Sequence, residues 1–119
     1  GKIVFAGREI GHTIFVGDRL KNTSIDNPVR RAYQLHRERA KAEHWNHHTA
    51  DPTAVLLAVR GILNYWNLSE CGYIDIKNNC SFVWKDHSEG NQRYIKQKMD
   101  RGRLGRILED LMVIPPDKH

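Results

Sequence analysis

Short apolar runs, each bounded by glycine or by a polar cluster, set the pattern of this chain. Residues 2–6 (Lys-Ile-Val-Phe-Ala) end at Gly7 and predict a buried strand. Residues 13–16, between Gly11 and Gly17, predict a second strand, and residues 21–26 are polar loop. Asn27-Pro28 predicts a helix start, with asparagine as the cap and proline at the first helical position. Val29, Ala32, Tyr33, His36 and Ala40 then follow helical spacing on one side, with Arg30, Arg37 and Lys41 on the other. That is an amphipathic helix resting on a core.

Asp51-Pro52 repeats the start signal, and residues 53–59 (Thr-Ala-Val-Leu-Leu-Ala-Val) are apolar on all sides. Periodicity does not separate helix from strand here, but the Asp-Pro start, the alanines and Gly61 favour a helix that must be covered all round. Residues 73–76 and 81–84 predict a hairpin, residues 86–91 a turn, and residues 94–98 a further strand. Asp100 caps a last helix whose Leu104, Ile107, Leu108, Leu111 and Met112 form one apolar stripe, stopped by Pro115-Pro116. The fold class expected is α/β, with short strands and three main helices.

Composition narrows the function classes. A chain of 119 residues with 39% hydrophobic content fits a single domain over residues 1–119. The longest apolar run, residues 54–59, is far short of the ~18–20 residues that cross a bilayer, so no membrane span is expected. No signal peptide is legible, Gly1 reads as a cut end, and the compartment stays open. Nineteen Lys and Arg against 14 Asp and Glu give a net charge of +5. The densest basic stretch, residues 93–106, carries Arg93, Lys96, Lys98, Arg101, Arg103 and Arg106 without an aromatic ladder. It reads as a solvated face, and a nucleic-acid partner is not expected. Cys71 and Cys80 flank a turn, which suits a hairpin disulfide in an oxidising compartment and two free thiols equally well.

Histidines crowd the segment His44-Trp45-Asn46-His47-His48-Thr49-Ala50-Asp51. His44 and His48 would share a face if helical, as zinc ligands do, but Asn46 and Thr49 point to a polar inter-helix loop. Trp45, Trp66 and Trp84 read as core or rim aromatics, and His12 and His36 as structural or solvent-facing.

Two stretches resemble the nucleoside hydrolases (inosine-uridine-type N-ribohydrolases), and more closely a bacterial nucleoside hydrolase-like branch. The first is Ile3-Val4-Phe5-Ala6-Gly7-Arg8-Glu9-Ile10-Gly11, with Ile14 and Gly17 following. The second is Asp51-Pro52-Thr53-Ala54-Val55-Leu56-Leu57-Ala58-Val59. Trp84, Tyr94 and Lys98-Met99 also fall where that branch carries similar residues. The resemblance implies the C-terminal segment of a larger nucleoside hydrolase-like chain, in which the N-glycosidic bond of a ribonucleoside is hydrolysed with the help of Ca²⁺.

In such a chain Asp51 matches the late calcium-binding aspartate, although Asp51 also reads as a helix cap. The residue before it, a proton-donating histidine in classical members, is Ala50 here, which leaves His47 and His48 as candidate catalytic groups. Glu9, after a strand end, is a candidate substrate contact as well as a plain surface carboxylate. The family's Asp-rich D-x-D-x-x-x-D-D motif is absent from this sequence. The resemblance thus implies a nucleoside substrate and Ca²⁺ only for the intact protein. This segment alone is expected to bind no calcium and to be inactive, and its partner would be the N-terminal half of the same fold or a second copy. The alternative is a non-enzymatic module that binds protein or nucleic acid.

Overall fold

The computed structural model describes residues 1–118. In chain order the elements are β1 (Ile3–Phe5), α1 (Arg8–Gly11), β2 (Phe15–Val16), a 3₁₀ turn (Asp18–Asn22), α2 (Pro28–Ala40), β3 (His47–His48) and α3 (Ala50–Arg60). β4 (Trp66–Leu68), β5 (Gly72–Ile76), β6 (Phe82–Asp86), β7 (Gln92–Gln97), α4 (Arg101–Val113) and a final 3₁₀ turn (Pro116–Lys118) complete the described residues. The fold is mixed α/β, and its main sheet is itself mixed.

β7 organises that sheet. It pairs in parallel with β1 (Ile3↔Gln92, Phe5↔Tyr94) and antiparallel with β4 (Trp66↔Gln97, Leu68↔Ile95), and it touches β5 at Gly72↔Gln92. β5 and β6 form the predicted hairpin, with Ile74 opposite Trp84. Buried Ser69 bridges the gap between β4 and β5, since its N–H donates to the Tyr94 carbonyl at 2.8 Å and its hydroxyl accepts from the Tyr94 N–H at 2.9 Å. β2 and β3 make a separate two-stranded ribbon.

The core joins this sheet to the helices through Ile10, Ile14, Val16, Leu56, Trp66, Ile95, Leu104 and Leu108. α4 forms as its stripe predicts: Leu104 and Leu108 are buried, and Asp100 accepts from the Arg103 N–H at 3.2 Å as N-cap. α2 begins at the predicted cap. Asn27 Oδ1 accepts from the Val29 N–H at 2.9 Å, while its Nδ2 donates to the Met112 carbonyl at 2.9 Å and ties the start of α2 to the end of α4. No residue of α2 is fully buried, so its apolar side is only partly covered.

Several expectations need correction. Thr49, not Asp51, is the N-cap residue of α3, so Asp51 lies inside the first turn and Pro52 is the third helical residue. The first N–H groups of a helix have no partner within it, so a proline there costs no hydrogen bond. The all-round apolar helix is covered on one side only: Thr53 and Leu56 are buried, whereas Val55 and Val59 are 60% and 77% exposed. His44 and His48 share no helix, since His44 is an exposed loop residue and His48 is in β3. A disulfide within the hairpin is also excluded. The Cys71 carbonyl accepts from the His87 N–H just before β5, whereas Cys80 sits in the turn at the far end. The five-residue strand between them spans about 16 Å, beyond the ~7 Å Cα limit of a bridge, and both thiols are free. The basic residues of the 93–106 stretch are exposed, and none is ion-paired among the described residues.

Candidate functional site

Gly11, in the first resemblance segment, packs against Thr49 and Ala50, just before the second segment begins at Asp51. A Cβ there would lie 2.4 Å from the Ala50 Cα, so only glycine lets α1 approach the start of α3 this closely. The Gly11 carbonyl accepts from the Thr49 N–H at 2.9 Å and from Thr49 Oγ1 at 3.3 Å. Thr49, fully buried, therefore spends its hydroxyl on α1 rather than on capping α3. Asp51 follows in the first helical turn, exposed, where a carboxylate interacts well with the helix dipole. Its carboxylate has no hydrogen bond or ion pair among the described residues.

Beside it stands a stack of imidazoles. His12, the C-cap residue of α1, lies on His48 with ring centroids 4.1 Å apart and planes 17° apart. His48 is 4.0 Å from His47, and His47 is 4.4 Å from His36 on α2. His36, His47 and His48 then line a depression of about 270 Å³ together with Tyr33, Asp51 and Pro52. His48 Nδ1 is buried without a partner among the described residues.

The electrostatics of this stack are one-sided. Burial first, and then His48, His36 and His12, hold the His47 pKa below the ordinary imidazole value. Burial, His48 and Arg8 do the same for His12. A cation is disfavoured where it loses water and faces other potential cations. His47 is therefore unprotonated at neutral pH, which suits a proton acceptor better than a donor to a leaving base. On α2, burial and then Glu109 raise the pKa of the Tyr33 phenol.

Of the residues singled out in the sequence, Asp51, His47 and His48 come together at this depression, and Glu9 does not line it. Glu9 is exposed on α1 with its carboxylate folded back on Gly7, where an added Cβ would meet Oε1 at 2.1 Å. Trp66 is core, whereas Trp45 carries the Arg30 and Arg37 guanidiniums 6.0 and 5.5 Å from its ring centroid. Trp84 packs edge-on against Tyr94 at 4.9 Å. Sequence reasoning missed His12 and His36 as members of the site. They arrive from different elements, and no spacing in the chain links them to residues 47–48.

The donor set does not close around calcium. Ca²⁺ takes about 6–8 oxygens, and Asp51 offers at most two. Among the described residues no group of three or more His, Cys, Asp or Glu side chains could hold a metal ion. What this arrangement offers by itself is one free carboxylate and a row of packed imidazoles on a shallow wall. Comparison of the chain with protein-family models, with curated proteins and with solved structures gives no match.

Proposed function

We propose that this chain is the C-terminal part of a nucleoside hydrolase-like protein, and that it lends Asp51 to a pocket whose other groups lie elsewhere in the intact fold. The observation that carries the reading is the Gly11 contact. Gly11, which closes the core of the first segment, is joined by two hydrogen bonds to Thr49, 38 residues on and two residues before the second segment begins at Asp51. The free Asp51 carboxylate sits on the depression beside that junction. The bare side of α3 fits the same reading, because an apolar helix with one open face is what remains when a neighbouring layer belongs to another segment. On this reading the remaining oxygen ligands come from outside the described residues, and the chain alone is expected not to hydrolyse nucleosides.

Two measurements test this. In the full reading frame, an Asp-rich D-x-D-x-x-x-D-D segment after a strand is expected upstream of Gly1, and its absence refutes the proposal. The protein made from that reading frame should release base from inosine, uridine or p-nitrophenyl riboside in the presence of Ca²⁺, and Asp51→Asn should abolish this. Activity unaffected by Asp51→Asn counts against the assignment, as does turnover by the 119-residue chain alone.

The exposed Val55, Val59 and Leu63 also favour a second reading, a protein-binding module without chemistry of its own. Light scattering tests this face: a chain that stays monomeric at high concentration removes the support for a sticky docking surface.

A further inference from the structure

We propose that the stack of His12, His48, His47 and His36 is an acid-sensitive latch: neutral rings hold β3 and its flanking loop against α1 and α2, and protonation releases them. The geometry is continuous. Four rings from three elements touch in sequence at centroid distances of 4.1, 4.0 and 4.4 Å. His12 and His48 stack at 17°, the other two pairs are tilted at 35° and 59°, and at all three distances uncharged imidazoles pack whereas adjacent imidazolium cations repel. None of the four side chains is hydrogen-bonded to a carboxylate among the described residues, and the one carboxylate on the wall of the depression, Asp51, is exposed.

Charged and titratable groups face the stack from three helices. α1 presents Arg8, a cation acting on His12. α2 contributes His36 and the Tyr33 phenol, which is neutral throughout the range in question. Arg37 of α2 is engaged on Trp45, two residues before His47. α3 contributes Asp51, the one carboxylate on the wall of the depression. The charged or chargeable groups that act on His47 are His48, His36 and His12.

The ribbon itself is short, and it is flanked by the Thr49–Gly11 hydrogen bonds on one side and by Asn46, which accepts from the Asp18 N–H at 2.9 Å, on the other. β3 pairs with β2 over only two residues, Phe15↔His48 and Val16↔His47, and α2 has no fully buried residue to anchor it. The direction follows from linkage. Imidazoles in the unfolded chain take protons near pH 6.5, whereas His12 and His47 resist them in the fold. The open form thus binds more protons as pH falls below about 6.5, and the closed form loses ground until its own rings are charged.

Hydrogen exchange read by mass spectrometry, corrected for intrinsic rates, tests the latch on the wild-type chain at about pH 7.5 and about pH 5.5. Protection over residues 44–50, which include the Thr49 amide bound to Gly11, should fall by about tenfold or more at the lower pH while α4 keeps its protection. His47→Phe keeps an aromatic rung that takes no proton, and should hold the pH 5.5 protection within about threefold of the pH 7.5 value. Unchanged wild-type protection overturns the proposal, and so does a His47→Phe chain that opens as the wild type does. Should the phenylalanine fit poorly, an NMR titration of the wild-type imidazoles decides. Coupled midpoints for His12 and His47 below about 6.5 are expected, and ordinary independent ones refute the latch.

Discussion

Replacing Gly11 by alanine sets two physical effects against each other. Gly11 ends α1, and alanine is favoured over glycine in a helix by about 0.8–1 kcal/mol, so propensity alone predicts a gain. Packing predicts the opposite. The new methyl would stand 2.4 Å from the Ala50 Cα and 2.8 Å from its nitrogen, against ordinary contact from 3.4 Å. Both obstacles are backbone atoms, so relief means moving the start of α3 by about 1 Å, and overpacking of this kind costs about 1–3 kcal/mol. The move also stretches the Thr49–Gly11 hydrogen bonds, each contributing about 0.5–1.5 kcal/mol.

In a helix of four residues the propensity gain is small, so the expected net loss is about 1–3 kcal/mol. At roughly 4 °C per kcal/mol for a domain of this size, the midpoint should fall by about 4–12 °C. Urea unfolding followed by circular dichroism measures the loss, with an unchanged slope showing that the unfolded state is not the cause. Gly105→Ala is the internal control. Its methyl would meet Ile14 and Val16 side chains at 3.5 Å, an ordinary contact inside α4, and should be neutral or add up to about 1 kcal/mol. A Gly11→Ala chain as stable as the wild type would refute the close approach of α1 and α3, and with it the junction on which the functional proposal rests.

Asn27→Ala should cost about 1–2 kcal/mol in the same assay, since it removes the cap of α2 and the bond to Met112 together, whereas Asn27→Asp keeps the cap and should lose less. Asp75 is flanked by Lys77 at 2.7 Å and Lys85 at 3.2 Å, and hydrogen bonds from both lysines hold its carboxyl below the usual value. It therefore favours the fold at neutral pH and loses that effect as pH falls through its folded midpoint; an NMR titration should show the midpoint rise in Lys77→Met, and no rise would mean that the ion pair is idle. Tyr33 should ionise later than a free phenol in an alkaline absorbance titration, so that stability falls as pH rises past about 10, and Tyr33→Phe should remove that late step. Leu104→Ala, at a fully buried position, should cost about 2–5 kcal/mol, and a loss under 1 kcal/mol would contradict the core placement of α4.

The elements with strong local chemistry were legible in advance. Asn27-Pro28 marked α2, the Leu104–Met112 stripe marked α4, and the polar residues 77–80 marked the hairpin turn. What local pattern misses is structure made by distant partners. β4 is three residues long and exists because Trp66, Asn67 and Leu68 find the end of β7. β3 is a pair of histidines with no apolar alternation, defined by Phe15 and Val16 across from it. α1 is one turn, too short for periodicity, and the Asp51 cap signal was displaced by two residues because Thr49 is drawn to Gly11. The site was legible in the same measure. Asp51, His47 and His48 are adjacent in sequence, whereas His12 and His36 join them only through tertiary folding.

The two cysteines give the hairpin a built-in ruler. They are the only cysteines in the sequence, both are free, and they flank opposite ends of β5, about 16 Å apart along an extended strand. A pair of thiol-reactive probes attached to the native chain would report that spacing directly, with no engineered positions. Fraying of β5 from β6 would broaden the measured distribution, so the least buried part of the sheet carries its own readout of local melting.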